Sequence, residues 1–251
     1  MVYSADDIDR INASFVPSPE QKIARYLGFE NFKKMIDGKA LWLSNSKEFT
    51  DKCEGEIPFS FFQKWEKESV DNYYTIHKML SNVYQAFITC WFEFELESET
   101  MWLSYGGEKN ENNRNSKGVC IITDVSKLAA YTDCLDAKIF KVKYINYEKH
   151  NYIQPPFYFG KKDNLEAPIF NGRVFFAYKQ IEYRDEREIR AITYKKSLNN
   201  GLCAKIEPAN FIEKIIINPH ATDEENKEIM NYLIANNLSN KITNSSIKCR
   251  R

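Results

Sequence analysis

One charged segment between residues 181 and 193 restricts the fold of this chain more than any other. Seven of the nine residues from Glu182 to Arg190 are charged, and an apolar stretch follows directly. If the segment is a strand, its side chains alternate between two faces, so Glu186, Glu188 and Arg190 share one face and the apolar residues take the other. If it is a helix, Glu182, Glu186 and Arg190 are spaced four residues apart, and Glu before Arg at that spacing stabilises a helix. The charge pattern leaves both interpretations open.

Length and composition set the general class of the protein. A chain of 251 residues forms one large domain or two small ones. Its 43% hydrophobic and 14% aromatic residues supply ample material for a core. Lys and Arg together number 35, as do Asp and Glu, so the formal charge is zero. The composition therefore gives no general attraction to nucleic acid or anionic membranes, although a local basic patch remains open.

Cysteine and histidine spacing argues for reduced thiols and against a metal site. None of the six cysteines forms a C-x-x-C pair, and Cys90 and Cys120 lie in apolar, strand-like runs. This pattern is typical of buried thiols in a cytoplasmic protein. The three histidines are far apart, so no zinc site is expected. No apolar stretch approaches the roughly 18 residues of a membrane span, and the first ten residues lack the pattern of a signal peptide.

Hydrophobic periodicity and capping residues predict a single α+β domain. Strands are expected at 23–27, 40–44, 85–94, 118–123, 138–147 and 211–218 and within a β-rich segment 173–194; helices or helical turns at 29–37, 59–84, 101–105, 124–135 and 222–236; loops at 108–117 and 148–171. Thr222 and Glu225 form a capping box for the last helix, whose inward face is predicted to hold Ile229, Met230, Leu233 and Ile234. We expect an N-terminal arm (1–19), one catalytic domain (20–238) and a flexible C-terminal tail (239–251).

Four short motifs follow one another along the chain. They are Ala24-Arg25-Tyr26-Leu27; Leu41-Trp42-Leu43-Ser44 followed by Phe49-Thr50-Asp51 and Glu54; Met101-Trp102-Leu103-Ser104-Tyr105 followed by Lys117-Gly118-Val119-Cys120; and Glu186-Arg187-Glu188-Ile189-Arg190. In this order they resemble a widespread bacterial family known only as a domain of unknown function, over residues 23–218. That family carries Met-Trp-x-x-Tyr and Glu-x-Glu-x-Arg motifs and an Asn/Asp-Pro-x-Glu turn. This chain lacks the proline of the turn, which leaves the role of residues 50–54 open.

The same order of residues is remotely similar to ADP-ribosyltransferases. A basic residue on an early strand, hydroxyl residues on a middle strand and a late Glu-x-Glu strand make up the similarity. It implies two small mixed or antiparallel sheets around an NAD-binding cleft, with flanking helices. It also implies an NAD-dependent ADP-ribosyltransferase acting as a bacterial toxin or anti-phage defence effector on a nucleic acid or protein, with an antitoxin protein as a further partner. On the middle strand, residues 88–91, only Thr89 keeps a hydroxyl.

The resemblance implies roles for the charged residues. Cleavage of the nicotinamide–ribose bond builds positive charge on the ribose, which a fixed carboxylate stabilises. Glu188 is assigned that role, and Glu186 the orientation or deprotonation of the acceptor. Which of the two carboxylates is catalytic stays open. Arg190 would keep Glu188 ionised, because a neighbouring positive charge lowers a carboxyl pKa.

The remaining expected NAD-binding residues come from the earlier motifs. Arg25 would bind the pyrophosphate through two hydrogen bonds. Aromatic rings at Tyr26, Trp102 or Tyr105 would stack on the nicotinamide or the adenine. The NAD-binding set is completed by Thr89, Ser104 and Arg190. The structural alternative for Trp102 is packing in the core, and that for Ser104 is a hydroxyl that stabilises a turn.

Two other functions remain open from the sequence. A metal-dependent phosphodiesterase or nuclease would bind a divalent cation through Asp51, Glu54, Glu186 and Glu188. A non-enzymatic binding module would use the aromatic segment 152–158 for recognition. A local basic strip that would guide a nucleic acid is formed by Lys138, Lys141, Lys143, Lys161 and Lys162. The structural alternative is a solvated strand edge that carries lysines.

Overall fold

The structure, a computed structural model, describes residues 14–49, 51, 55, 85–109, 115–146, 176–197 and 199–247. The chain forms two compact units, each assembled from three separated segments. Unit 1 comprises Met1–Pro17, Leu43–Thr89 and Leu135–Leu202, and unit 2 comprises Ser18–Trp42, Cys90–Cys134 and Cys203–Arg251.

Both strands and helices make up the fold. The described strands are β1 (Lys22–Gly28), β2 (Ala40–Asn45), β3 (Gln85–Glu93), β4 (Glu108–Lys109), β5 (Asn115–Asp124), β6 (Lys138–Lys141), β7 (Lys143–Ile145), β8 (Tyr178–Gln180), β9 (Glu188–Lys195), β10 (Gly201–Lys205), β11 (Lys214–Ile217) and β12 (Ile242–Thr243). The α-helices are α1 (Phe29–Asp37), α2 (Glu99–Tyr105), α3 (Val125–Thr132), α4 (Pro208–Phe211) and α5 (Asp223–Ala235). None of these helices is both long and apolar enough to cross a membrane.

The strands form one large mixed sheet and a separate two-stranded sheet. The prediction of two small sheets is therefore wrong in its sheet arrangement, while the prediction of a mixed α and β fold is confirmed. Strand formation depends on local side-chain character, whereas pairing depends on partners distant in sequence. The sequence pattern therefore predicts the strands better than their pairing.

Unit 1 is built around β9. This strand pairs antiparallel with β6, so that Phe140 lies opposite Arg190. Strands β7 and β8 pair in parallel and form the small sheet. Phe15 is buried in this unit and packs edge-on against Tyr178, with ring centroids 5.5 Å apart.

Unit 2 is built around the antiparallel pair β1–β5, which is in register from Lys22 opposite Asp124 to Gly28 opposite Gly118. On its other edge β5 pairs antiparallel with β11, which in turn pairs in parallel with β12. Gly118 allows strands β1 and β5 to approach closely, because a Cβ there would lie 2.5 Å from the Leu27 carbonyl oxygen. The buried face of these strands forms a hydrophobic core together with residues of β3 and α2.

Several local predictions are confirmed. Helix α1 has the predicted bounds, Phe29–Asp37, and Gly38 is its C-cap. Helix α5 begins after Thr222, whose hydroxyl accepts a hydrogen bond from the Glu225 backbone, and the Glu225 carboxylate completes the capping box. Asp124 likewise caps α3 by accepting from the Lys127 backbone. These elements depend on residues a few positions apart, which is why the sequence specifies them well.

Other local predictions differ from the structure. Two of the four residues expected on the inward face of α5 are exposed, Met230 by 36% and Ile234 by 56%. The helix buries Ile229 and Leu233, which lie one turn apart on one narrow face. The expected loop 108–117 contains β4 and the start of β5, and the expected strand 138–147 is divided into β6 and β7. Residues 239–247, expected as part of a flexible tail, include a 3₁₀ turn and β12. The helices expected in 59–84 and the loop 148–171 lie outside the described residues.

Candidate functional site

The charged segment forms a 3₁₀ helix followed by a strand. The 3₁₀ helix spans Ile181–Glu186, and Arg187 adopts a left-handed conformation with φ 40° before β9 begins at Glu188. Glu186 is therefore not on the strand, and the expected shared strand face of Glu186, Glu188 and Arg190 is wrong. The α-helical alternative is wrong as well. The turn nevertheless leaves both carboxylates within reach of one cation.

That cation is Lys179 on β8, a buried lysine whose side chain is 9% exposed. Its Nζ lies 2.5 Å from Glu186 Oε2 and 2.8 Å from Glu188 Oε1. It also lies 4.5 Å from the centroid of the Tyr183 ring. The sequence interpretation missed Lys179. In the sequence, the one feature that distinguishes Lys179 is its position directly after the apolar residues Ala177 and Tyr178.

Arg190 binds Glu188 from the other side. Its Nε donates a hydrogen bond of 2.6 Å to Glu188 Oε2, and its Nη1 donates one of 2.8 Å to the Phe176 carbonyl oxygen. The backbone N–H of Glu188 donates to the Tyr144 hydroxyl at 2.8 Å. Both carboxylate oxygens of Glu188 are thus bound by buried cations.

The two carboxyl groups have opposite pKa shifts. Burial favours the neutral form of Glu188, but the charge and hydrogen bond of Arg190 and the charge of Lys179 outweigh it and hold its pKa well below the usual range. Burial raises the pKa of Glu186, and the adjoining Glu188 carboxylate raises it further, against the opposing effect of Lys179. Glu188 therefore stays ionised, while Glu186 retains a proton more readily than an ordinary glutamate.

The charges of Glu186 and Glu188 also shift the pKa values of neighbouring groups. The pKa of Lys179 is raised, because the Glu188 charge and the two carboxylate hydrogen bonds outweigh the effect of burial. Burial raises the pKa of Tyr144, and the nearby Glu188 charge adds to the shift. Lys179 is consequently a permanent cation and Tyr144 a neutral hydroxyl in this cluster. We call Lys179, Glu186, Glu188 and Arg190 the carboxylate cluster.

Accessibility separates the two glutamates. The Glu186 side chain is 19% exposed, against 7% for Glu188. A ligand that approaches the carboxylate cluster from solvent therefore meets Glu186 first. The other expected site residue of unit 1, Thr89, is buried in β3.

Two aromatic residues expected to stack on NAD belong to the core of unit 2. Tyr26 is 4% exposed and Trp102 is fully buried, and their rings meet edge to face with centroids 4.8 Å apart. The Tyr26 hydroxyl accepts from the Ser98 backbone at 3.0 Å, and the indole N–H of Trp102 donates to Glu97 at 3.2 Å. Because their rings are covered by core neighbours, neither can stack on a ligand without leaving the core.

The remaining expected residues of unit 2 differ in exposure. Ser104 and Tyr105 lie on α2 and are exposed, Tyr105 by 47%. Arg25 on β1 is half-buried, and its guanidinium carbon lies 5.9 Å from the centroid of the Trp91 ring.

The alternative sites receive less support from the described residues. Within the described ranges, no three His, Cys, Asp or Glu side chains are grouped so as to hold a metal ion. Of the lysine strip, Lys138 pairs with Asp136 at 3.0 Å, and Lys143 lies 5.3 Å from the centroid of the Phe15 ring. Glu54, the aromatic segment 152–158 and the two other strip residues Lys161 and Lys162 lie outside the described residues.

The fold and this cluster define a mixed α and β protein with a buried glutamate, Glu188, between two cations and the more exposed Glu186 on one of them. The model of a family described as "Protein of unknown function (DUF2971)" matches residues 101–191 of the 251. The matched range begins with Met101 on α2 and ends one residue after Arg190, so it contains the whole carboxylate cluster. The expected resemblance to a domain of unknown function is confirmed for that range. No curated protein and no solved structure matches the chain.

Proposed function

We propose that the protein is an NAD-dependent ADP-ribosyltransferase whose chemistry takes place at the carboxylate cluster. The observation that carries the proposal is the placement of Glu186 and Glu188 on one shared buried cation, Lys179, whose Nζ donates to both carboxylates at 2.5 and 2.8 Å. The opposite directions of their pKa shifts agree with this arrangement. Two neighbouring carboxyl groups with separated pKa values are the usual arrangement for splitting acid–base and electrostatic roles between them.

The chemistry of NAD cleavage fits this separation. As the bond between nicotinamide and ribose breaks, positive charge develops on the ribose, and a fixed negative charge nearby lowers the barrier. An acceptor hydroxyl or amine must also lose a proton as it attacks, which needs a group that can accept one. Glu188 supplies a permanent negative charge, and Glu186 supplies the proton acceptor.

Burial determines how the two roles are assigned. Glu188 is bound at both oxygens and is almost fully buried, so it acts through its charge and by holding Lys179 in place. Glu186 is the more exposed carboxylate, and we assign it direct contact with substrate. This differs from the roles expected from the sequence, where Glu188 was the carboxylate that touches the ribose.

The proposal includes the biological role that the resemblance implies. The acceptor would be a nucleic acid or a protein, and the enzyme a bacterial toxin or anti-phage effector in the cytoplasm, restrained by an antitoxin protein. What supports the enzymatic part is the carboxylate cluster. The biological role rests on the resemblance of the motifs alone.

The metal-dependent alternative has less support, because carboxylate oxygens that a metal would need already accept hydrogen bonds from Lys179 and Arg190. Lys179 and Arg190 provide two buried positive charges against Glu186 and Glu188. A divalent cation would have to displace the hydrogen bonds that hold Glu188 between Lys179 and Arg190.

The test is nicotinamide release from NAD by the purified protein, with and without bacterial RNA and lysate protein. Glu186→Gln removes the proton acceptor at little structural cost, and Glu182→Gln makes the same change at an exposed position of the same 3₁₀ helix. We expect release by the wild type and by Glu182→Gln, with a loss of about 100-fold or more in Glu186→Gln. Equal release by Glu186→Gln and the wild type would refute the role of Glu186. No release by the wild type under any condition would refute the transferase.

A further inference from the structure

The hydroxyl of Tyr144 takes the place of a backbone carbonyl at the start of β9. Strands β6 and β9 are antiparallel, with Lys141 opposite Ile189, and one position further the Val142 N–H donates to the Glu188 carbonyl oxygen at 2.9 Å. In a regular antiparallel pair, the N–H of Glu188 would donate back to the carbonyl of Val142. It donates instead to the Tyr144 hydroxyl at 2.8 Å. A side chain thus replaces the backbone acceptor at the residue that lies between the two buried cations.

Strand pairing brings this hydroxyl to the carboxylate cluster. Strands β7 and β8 are parallel, and Tyr144 lies beside Lys179 in their register. Side chains of residues that are neighbours across two paired strands point to the same face of the sheet. Burial raises the pKa of the Tyr144 phenol, and the nearby Glu188 charge raises it further. The hydroxyl therefore keeps its hydrogen at neutral pH.

The hydrogen of this hydroxyl is available to a ligand. A tyrosine hydroxyl can both accept and donate, and the bond from the Glu188 N–H uses only the oxygen. Among the residues that the structure describes, none accepts the hydrogen of the Tyr144 hydroxyl. The Tyr144 side chain is half-buried, so a group that enters from solvent can reach it. A backbone carbonyl would satisfy the Glu188 N–H as well, but only a hydroxyl can pass a hydrogen bond on to a third group.

We infer that the Tyr144 hydroxyl contacts the substrate and donates a hydrogen bond to a hydroxyl oxygen of the ribose next to nicotinamide. The inference rests on the proposed function, in which the Glu188 charge acts on that ribose. A ribose beside Glu188 also lies beside the hydroxyl that is bonded to the Glu188 backbone. Tyr144 then adds a neutral donor to a site whose other named groups are charged.

The test pairs the removal of the tyrosine hydroxyl with the removal of a ribose hydroxyl. Tyr144→Phe keeps the ring, and nicotinamide release is measured with NAD and with two analogues that lack the 2′- or the 3′-hydroxyl of the nicotinamide ribose. With NAD, we expect Tyr144→Phe to lower kcat/KM by about 3- to 10-fold. The analogue that lacks the contacted hydroxyl should abolish this loss, because the enzyme and the substrate then each lack one end of the same bond.

Tyr232→Phe is the matched control. It removes a hydroxyl that donates to the Asp37 carboxylate at 2.6 Å, in unit 2 and outside the carboxylate cluster. We expect kcat/KM for NAD to stay at the wild-type value in this variant.

The possible results separate this inference from the proposed function. Release by the wild type with equal kcat/KM in Tyr144→Phe would overturn the role of Tyr144 and leave the transferase intact. An equal loss with NAD and both analogues would overturn it as well, and would show that Tyr144 only supports the backbone of Glu188. No release by the wild type under any condition would refute the transferase, and the inference with it.

A measurement that keeps the hydroxyl covers the case in which Tyr144→Phe does not fold. A single 3-fluorotyrosine at position 144 gives one ¹⁹F NMR signal. ADP-ribose carries the ribose that NAD retains after cleavage, and ADP lacks it. We expect ADP-ribose at millimolar concentration to shift the signal and ADP to leave it in place. No shift with ADP-ribose, or equal shifts with both compounds, would refute the contact.

Discussion

Replacement of Glu188 by glutamine should destabilise the protein far more than replacement of Glu186. Glu188 is the counter-ion of two buried cations, since Lys179 binds one of its oxygens at 2.8 Å and Arg190 the other at 2.6 Å. Glutamine has nearly the same shape but no charge, and its amide group presents donors to one of the two cations. Arg190 would then keep its Phe176 carbonyl but lose its charged partner.

The expected cost follows from the burial of these groups. Removing one partner of a buried ion pair costs about 3–5 kcal/mol, because the remaining charge is left uncompensated in a medium of low polarity. Glu186→Gln should leave the free energy of unfolding unchanged or raise it at neutral pH. The raised pKa of Glu186 means that its ionised form is disfavoured in the folded state, and glutamine is neutral.

The pH dependence has a definite sign. The pKa of Glu188 is lowered on folding, so its stabilising effect is present above the ordinary carboxyl pKa of about 4.3 and is lost as the pH falls through the lowered value. The difference in stability between the wild type and Glu188→Gln should therefore shrink in acid. For Glu186 the sign is reversed, and its ionisation reduces stability as the pH rises above about 4.3.

The assay is urea unfolding followed by circular dichroism at pH 7 and in acid, with Glu182→Gln as the exposed control. A double variant adds an internal check: Glu188→Leu with Arg190→Met should be more stable than Glu188→Leu alone, because it removes both charges of the pair. The reasoning is refuted if Glu188→Gln costs no more than Glu182→Gln at pH 7. It is also refuted if the double variant is less stable than Glu188→Leu.

Three further substitutions test the surrounding structure. Gly55→Ala should destabilise by about 1–3 kcal/mol, since φ is +78° there and a Cβ would lie 2.4 Å from the Phe176 ring; an unchanged urea midpoint would contradict this packing. Thr222→Ala should cost about 1 kcal/mol by removing the cap of α5, and a melting temperature equal to that of the wild type would argue against the capping box. Gly118→Ala should prevent stable folding, because a Cβ would lie 2.0 Å from the Gly106 carbonyl oxygen, and a soluble, cooperatively unfolding variant would show that this approach is looser than described.

The elements that the sequence specified well depend on neighbouring residues. Gly38 caps the end of helix α1 and Thr222 caps the start of α5, as the local pattern predicted. The charged segment was predicted less well, because a strand and a helix place its charges on similar faces. The left-handed Arg187 between the 3₁₀ helix and β9 is not the glycine that such a conformation favours, so the sequence gives no sign of the break.

The carboxylate cluster was predicted only in part. Glu186, Glu188 and Arg190 were expected together on one face of a strand, whereas Glu186 lies on the 3₁₀ helix that precedes β9. Lys179 and Tyr144 reach the cluster through the pairing of β7 with β8, which depends on contacts distant in sequence. Tyr26 was expected to contact a ligand, but an aromatic residue beside an arginine suits a core as well as a binding site. Packing against a residue distant in sequence, Trp102, decides for the core.

The most direct test of the carboxylate cluster is a carboxyl ¹³C NMR titration of glutamate-labelled protein. Glu186→Gln and Glu188→Gln would assign the two resonances by their disappearance. The structure predicts that Glu186 titrates above the ordinary glutamate range and that Glu188 stays ionised well below it. Two midpoints near the ordinary value of about 4.3 would contradict the shared cation and the separation of roles that the proposed function requires.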